Sequence, residues 1–171
     1  TECCNCTIPN GFTSINAQGG VTISSLFPNQ TTFNNVQWLV CGKLIIDREI
    51  RILNNSSLLM ESGSEIEINT NGRLISVGTN YSACENMWKG ITFQGNKTLQ
   101  VFNNNIINDA QYALNLKGST QINVSNNFFN KNYIGIRSTN VGSNSPVIVT
   151  FAGNTFSCED MSGNNTTLKD P

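Results

Sequence analysis

NNNIINDAQYALNLKGSTQINVSNNFFNKNYIGIRS, residues 103–138, states one pattern twice. IINDAQYAL overlies FFNKNYIGI at an offset of 22 residues, with an Asn, a large apolar residue and a small-plus-aliphatic pair at matching places. Self-similarity at a period of twenty to fifty residues is the mark of a repeat architecture, in which each unit buries its apolar face only against its neighbours.

The pattern extends outward as apolar doublets spaced i, i+2. One set runs Val21/Ile23, Leu44/Ile46, Ile66/Ile68, Leu99/Val101, Ile122/Val124 and Val149/Phe151, with steps of 23, 22, 33, 23 and 27. A second runs Phe27, Ile50/Ile52, Leu74, Ile107, Phe129 and Phe156; a third runs Val36/Trp38, Leu58/Met60, Ile91/Phe93, Leu114/Leu116 and Ile136 with Ser138. Alternation with period two belongs to short strands buried on one face, and no segment holds the i, i+3, i+4, i+7 stripe of a helix. The expectation is an all-β chain: a right-handed parallel β-helix with three short strands per coil and about five to six coils. The 33-residue step implies an excursion at 78–86, which contains Cys84.

Asn105, Asn127 and Asn154 each stand two residues before Ile107, Phe129 and Phe156, at one corner of successive coils. An Asn there suits a left-handed bend, and its amide can bond to the coils above and below as a ladder. Gly90, Ala113 and Gly135 are the small residues expected where the backbone is crowded before the next strand.

Composition agrees with this reading. Of 171 residues, 12% are charged and 28 are Asn, so polarity comes from uncharged, turn-compatible groups. A net charge of −1 with no basic run excludes a footprint for nucleic acid, and no apolar run reaches the roughly 18 residues of a transmembrane segment. Six cysteines, Cys3, Cys4, Cys6, Cys41, Cys84 and Cys158, are candidates for disulfides in an oxidising compartment, with Cys41 expected to bond one of the first three. With no His, and single scattered Cys beyond residue 6, no metal and no cofactor are expected.

The consensus NNxIxxAxYALxLxGSTxIxVSNNxFxxNxIGI is similar to the right-handed parallel β-helix repeat of the pectate-lyase-like superfamily. CGKLIID, SGSEIEI and CENMWKGITF resemble, more narrowly, secreted β-helix proteins of Bacteroidetes that use the type IX secretion route. That resemblance implies an extracellular or cell-surface location. It does not bring an activity: the calcium-binding Asp cluster of the lyases and the NTD, DD and GHG motifs of the polygalacturonases do not occur here.

Candidate chemistry is sparse. Asp47, Glu49, Glu61, Glu65 and Glu67 form an acidic cluster that would suit glycoside hydrolysis, but Arg48, Arg51 and Arg73 interleave with them as on a solvated face. Glu85 and Asp109, at comparable corners, read as turn caps rather than calcium ligands. The outward positions of two sheets are expected at Gln37, Leu59, Thr92, Asn115 and Arg137, and at Thr22, Ile45, Glu67, Gln100, Asn123 and Thr150. The binding candidates are Trp88, Thr92, Tyr112, Asn115, Tyr133 and Arg137, whose aromatic rings and amides suit a polysaccharide or cell-surface ligand.

The expected organisation is a Cys-rich N-terminal cap (1–20), the β-helix (21–156) and a polar tail or the start of a continuation (157–171). A solenoid end without a cap exposes strand edges, and the polar sequence after Phe156 supplies none, which suggests the N-terminal part of a longer protein or end-to-end self-association. The function expected is a non-catalytic structural or adhesive module. The alternatives are a polysaccharide lyase or glycoside hydrolase, with its site in absent coils or at the acidic cluster, and a self-assembling filament subunit.

Overall fold

The computed structural model describes residues 6–95, 97–159 and 168–170. Its strands pair in parallel with strands one coil away, so the chain winds as a β-helix with three walls. One wall stacks the end of Gln37–Ile46 with Glu65–Ile68, Trp88–Phe93, Ala110–Lys117 and Ile134–Thr139. The second stacks Thr32–Asn34, Glu49–Leu53, Arg73–Val77, Leu99–Asn103, Gln121–Ser125 and Val147–Ala152. The third stacks the start of Gln37–Ile46 with Ser57–Met60, Asn80–Ala83, Ile106–Asn108, Phe128–Asn130 and Thr155–Ser157. Alternation decides which side chains enter: in EIEI, Ile66 and Ile68 are buried while Glu65 and Glu67 face out.

The expected columns hold on either side of the third coil but change wall across it. Leu44/Ile46 and Ile66/Ile68 stack, and the next members are Ile91/Phe93, then Leu114/Leu116. Leu99/Val101 and Ile122/Val124 belong to the second wall, with Ile50/Ile52 and Leu74. The third wall carries Trp38, Leu58, Tyr81, Ile107, Phe129 and Phe156.

The cause lies in the assumed excursion at 78–86, most of which is ordinary coil because Asn80–Ala83 is a strand. Its buried residues are Tyr81 and the small Ala83; the Tyr81 hydroxyl donates to Ser76 Oγ at 2.8 Å, so a polar group sits in the core satisfied and no pair of large aliphatics marks the strand. The true insertion is smaller. Tyr81 precedes its partner Ile107 by 26 residues and Trp88 precedes Ala110 by 22, which leaves four extra residues, Cys84 to Met87, between strands.

The Asn corner divides its work between two residues. Asn104 and Asn126 take the left-handed conformation, at φ 54° and 56°, which Asn tolerates better than other side chains. The following Asn105, Asn127 and Asn154 form the ladder. Asn105 donates from its backbone and from Nδ2 to Asn127 Oδ1, and Asn127 does the same to Asn154 Oδ1, all at 3.0 Å. The second Nδ2 hydrogens go to the carbonyls of Ser76, Phe102 and Val124. Above Asn105 the ladder stops, because the preceding coil has Thr79, whose N–H donates to Asn105 Oδ1.

The two ends differ. At the start, Thr13–Thr22 already pairs in parallel with Gln37–Ile46. The helical turn Ile23–Leu26 and the mutually packed rings of Phe27, Phe33 and Trp38 close the core there. Arg48 ties the turn down by donating to the carbonyls of Phe27, Pro28 and Gln30. Cys6 is bonded to Cys84, which anchors the N-terminal segment on the insertion. Cys41 is also disulfide-bonded, while Cys3 and Cys4 lie outside the described residues. Cys158 is exposed. At the other end Ile148, Phe151 and Phe156 continue the inward columns but are 38%, 54% and 51% exposed.

Candidate functional site

Period-two alternation on the first wall places Glu67, Thr92, Asn115 and Arg137 in one outward column, continuous with Ile45 and Thr22. These were expected on two separate faces; they share one because both sets of strands belong to the same wall. Gln100, expected outward, is buried in the second wall, where its amide accepts from the Leu74 N–H at 2.7 Å and donates to the carbonyls of Thr98 and Gly72. Asn123 and Thr150 are paired with each other on the second wall.

Beside this column runs a second one: Lys43, Glu65, Gly90, Tyr112 and Ile134. Gly90 sits at φ 106°, and a Cβ there would lie 1.6 Å from the Tyr112 carbonyl oxygen, so the crowding expected at this corner is real. Ala113 is the extra residue of a bulge between Tyr112 and Leu114. That bulge aims the Tyr112 ring toward the next coil, where the Arg137 guanidinium carbon stands 4.8 Å from its centroid, within cation–π range.

The middle of the first column is polar and shielded. Thr92 and Asn115 are 4% and 8% exposed, and the Asn115 amide donates to Thr92 Oγ1 at 3.4 Å. Asn115 Oδ1 has no hydrogen-bond partner among the described residues. Toward the N-terminal coils the wall becomes ionic: Lys43 Nζ reaches Glu67 at 2.8 Å and Glu65 at 3.5 Å, and Gln94 donates to the same Glu67 oxygen at 3.0 Å. Burial by itself pushes the Glu67 carboxyl up, but the bonds from Lys43 and Gln94 outweigh it and hold the group below the usual carboxylate range. Lys43, Gln94 and Glu65 were not among the binding candidates, although the 22-residue offset from Lys43 to Glu65 marks them as stacked.

Of the six binding candidates, the structure gathers Thr92, Tyr112, Asn115 and Arg137. Trp88 is wholly buried, packed on Tyr81 with ring centroids 6.3 Å apart and its Nε1 donating to the Asn108 carbonyl. The four-residue insertion before it turns the indole into the core, opposite the small Ala110. Tyr133 is 67% exposed at the corner that follows Lys131, which takes the left-handed conformation at φ 55°.

Three other acids are engaged elsewhere. Glu49 bonds Arg73 and Arg51, which lower its pKa despite slight burial; Asp47 accepts from Ser24; and Asp109 pairs with Lys169 at 3.2 Å. Among the described residues no group of three His, Cys, Asp or Glu is placed to hold a metal ion. No helix among them is long and apolar enough to cross a membrane. A shallow groove of about 330 Å³ lies on the third wall, lined by Ser57, Asn80, Asn104 and Ile106 among others.

Comparison of the chain with protein-family models, with curated proteins and with solved structures finds no match.

Proposed function

We propose that this chain is a β-helix module of a secreted or cell-surface protein, of the kind its motifs resemble in Bacteroidetes, and that it binds glycan on its first wall without transforming it. The reading is carried by one arrangement: the Tyr112 ring under the Arg137 guanidinium, beside the shielded Asn115 amide with its unpartnered acceptor. An aromatic face, a fork of cationic donors and an amide are the groups that recognise vicinal hydroxyls and sugar carboxylates.

Two further features favour binding over catalysis and export over retention. A glycosidase acid needs a carboxyl raised toward neutrality, whereas Glu67 is held down by Lys43 and Gln94. The Cys6–Cys84 bond fits an oxidising compartment.

The test is titration against a panel of neutral and acidic polysaccharides. Saturable binding that falls at least tenfold in Tyr112→Ala and in Arg137→Ala, with circular dichroism unchanged, supports the proposal. Absence of binding across the panel rejects it. Glycan turnover abolished by Glu67→Gln would instead establish the lyase or hydrolase reading.

A further inference from the structure

The inward columns of the β-helix end on bare side chains. Ile122, Val124 and Phe129 are at most 1% exposed, while Ile148, Phe151 and Phe156, which lie over them, are 38%, 54% and 51% exposed. Among the described residues, strands Ile134–Thr139, Val147–Ala152 and Thr155–Ser157 each have a neighbour on one side only. Asn154 accepts from Asn127 but, among the described residues, has no Asn beyond it to receive its own N–H. Edge strands are ordinarily guarded by charge. Between residues 134 and 157 the one charged side chain is Arg137, and it lies outward over Tyr112.

We infer that this end pairs face to face with the same end of a second copy, giving a two-fold dimer. Three observations select that occupant. An uncharged face meets itself without repulsion. The opposite end has its core covered by Ile23–Leu26, by the rings of Phe27, Phe33 and Trp38, and by Arg48, so it presents no bare apolar columns to meet those of this end in head-to-tail stacking. Lys169 and Asp170, further along the chain, lie back along the side of the helix, bonded to Ala83 and Met87.

A two-fold axis through the middle of Val147–Ala152 sets that strand antiparallel to its mate. It also brings Ile134–Thr139 of each copy onto Thr155–Ser157 of the other. All three edges are then paired at once, and the apolar columns run on through the junction.

Sedimentation equilibrium of the intact chain tests this. The expected result is twice the chain mass, with the dissociation constant raised at least tenfold by Phe151→Asp and unmoved by Asn29→Lys at the closed end. Amide exchange within Val147–Ala152 of the unmodified protein provides a second measurement, independent of whether the variant folds; it should slow as concentration rises. A single-chain mass with concentration-independent exchange overturns the proposal. So does an open-ended series of masses that Asn29→Lys abolishes, since that is head-to-tail growth.

Discussion

One oxygen of Asn127 accepts both the backbone N–H and the side-chain amide of Asn105, each at 3.0 Å. Within a dry interior such an oxygen satisfies two donors that water cannot reach, and the same side chain returns a donor to the Phe102 carbonyl. Asn127→Ala strands all of these groups, and leaving buried polar groups unpaired costs about 1–3 kcal/mol each. A loss of about 3 kcal/mol or more is expected in urea unfolding. The adjacent Asn126 carries the left-handed bend instead, and is exposed. Asn126→Gly should change stability by less than about 0.5 kcal/mol, so the pair of variants separates ladder from bend.

Gly90 and Gly63 both have positive φ, but they differ in their surroundings. At Gly63 a Cβ would meet nothing within 4 Å, so Gly63→Ala costs about 1 kcal/mol, the price of the conformation alone. At Gly90 it would collide with the Tyr112 carbonyl. Gly90→Ala should therefore force apart the coils that carry Gly90 and Tyr112, lowering stability by more than about 3 kcal/mol and, by displacing Tyr112, weakening glycan binding together with it. Thermal melts and the same polysaccharide titration check both effects.

The Lys43–Glu67 pair makes stability depend on pH at two limits. Glu67 has a folded pKa below its ordinary 4.5, so its contribution is complete above that value and is lost as pH falls through the lowered one. Lys43 is raised above 10.5, chiefly by its bond to Glu67, so its contribution is complete below 10.5 and is lost as pH climbs through the raised value. Melting temperature should be flat between about pH 5 and pH 10. Glu67→Gln should soften both limbs; a profile identical to the parent's would refute the assignment.

Cys6 and Cys84 are 78 residues apart in sequence, and closing so long a loop restricts the unfolded chain by about 4 kcal/mol in the chain-entropy description. Cys84→Ser should lower the melting temperature markedly. It should also free the insertion, so that protection of the Met87 N–H, which donates to the Asp170 carbonyl at 2.8 Å, falls first in hydrogen exchange.

Sequence periodicity revealed the coil and the Asn ladder because both depend on side-chain chemistry repeated at a nearly constant offset: Leu44 over Ile66, and Asn105 over Asn127. It misplaced the walls after the third coil because two inward positions there are polar. Tyr81 and Gln100 are buried with their hydrogen bonds met by Ser76 and by the backbone around Leu74, so they interrupt the aliphatic alternation without interrupting the core. The binding face was legible only in part for the same reason. Thr92, Asn115 and Arg137 read as outward from their alternation, but the doublet spacing puts Glu67 on another sheet, and Trp88 reads as surface because nothing in its own segment signals the inward turn made by the Cys84 to Met87 insertion.

The Cys6–Cys84 bond staples the beginning of the chain to the side of a coil midway along the stack, so the N-terminal part cannot unwind one turn at a time. Beyond Cys84 the turns are held by their neighbours and, at Met87 and Asp109, by the returning Asp170 and Lys169, and among the described residues the last turn is paired on one side. Unzipping therefore has a direction: it starts at Phe156 and Phe151, moves inward turn by turn, and is arrested where the covalent clasp begins.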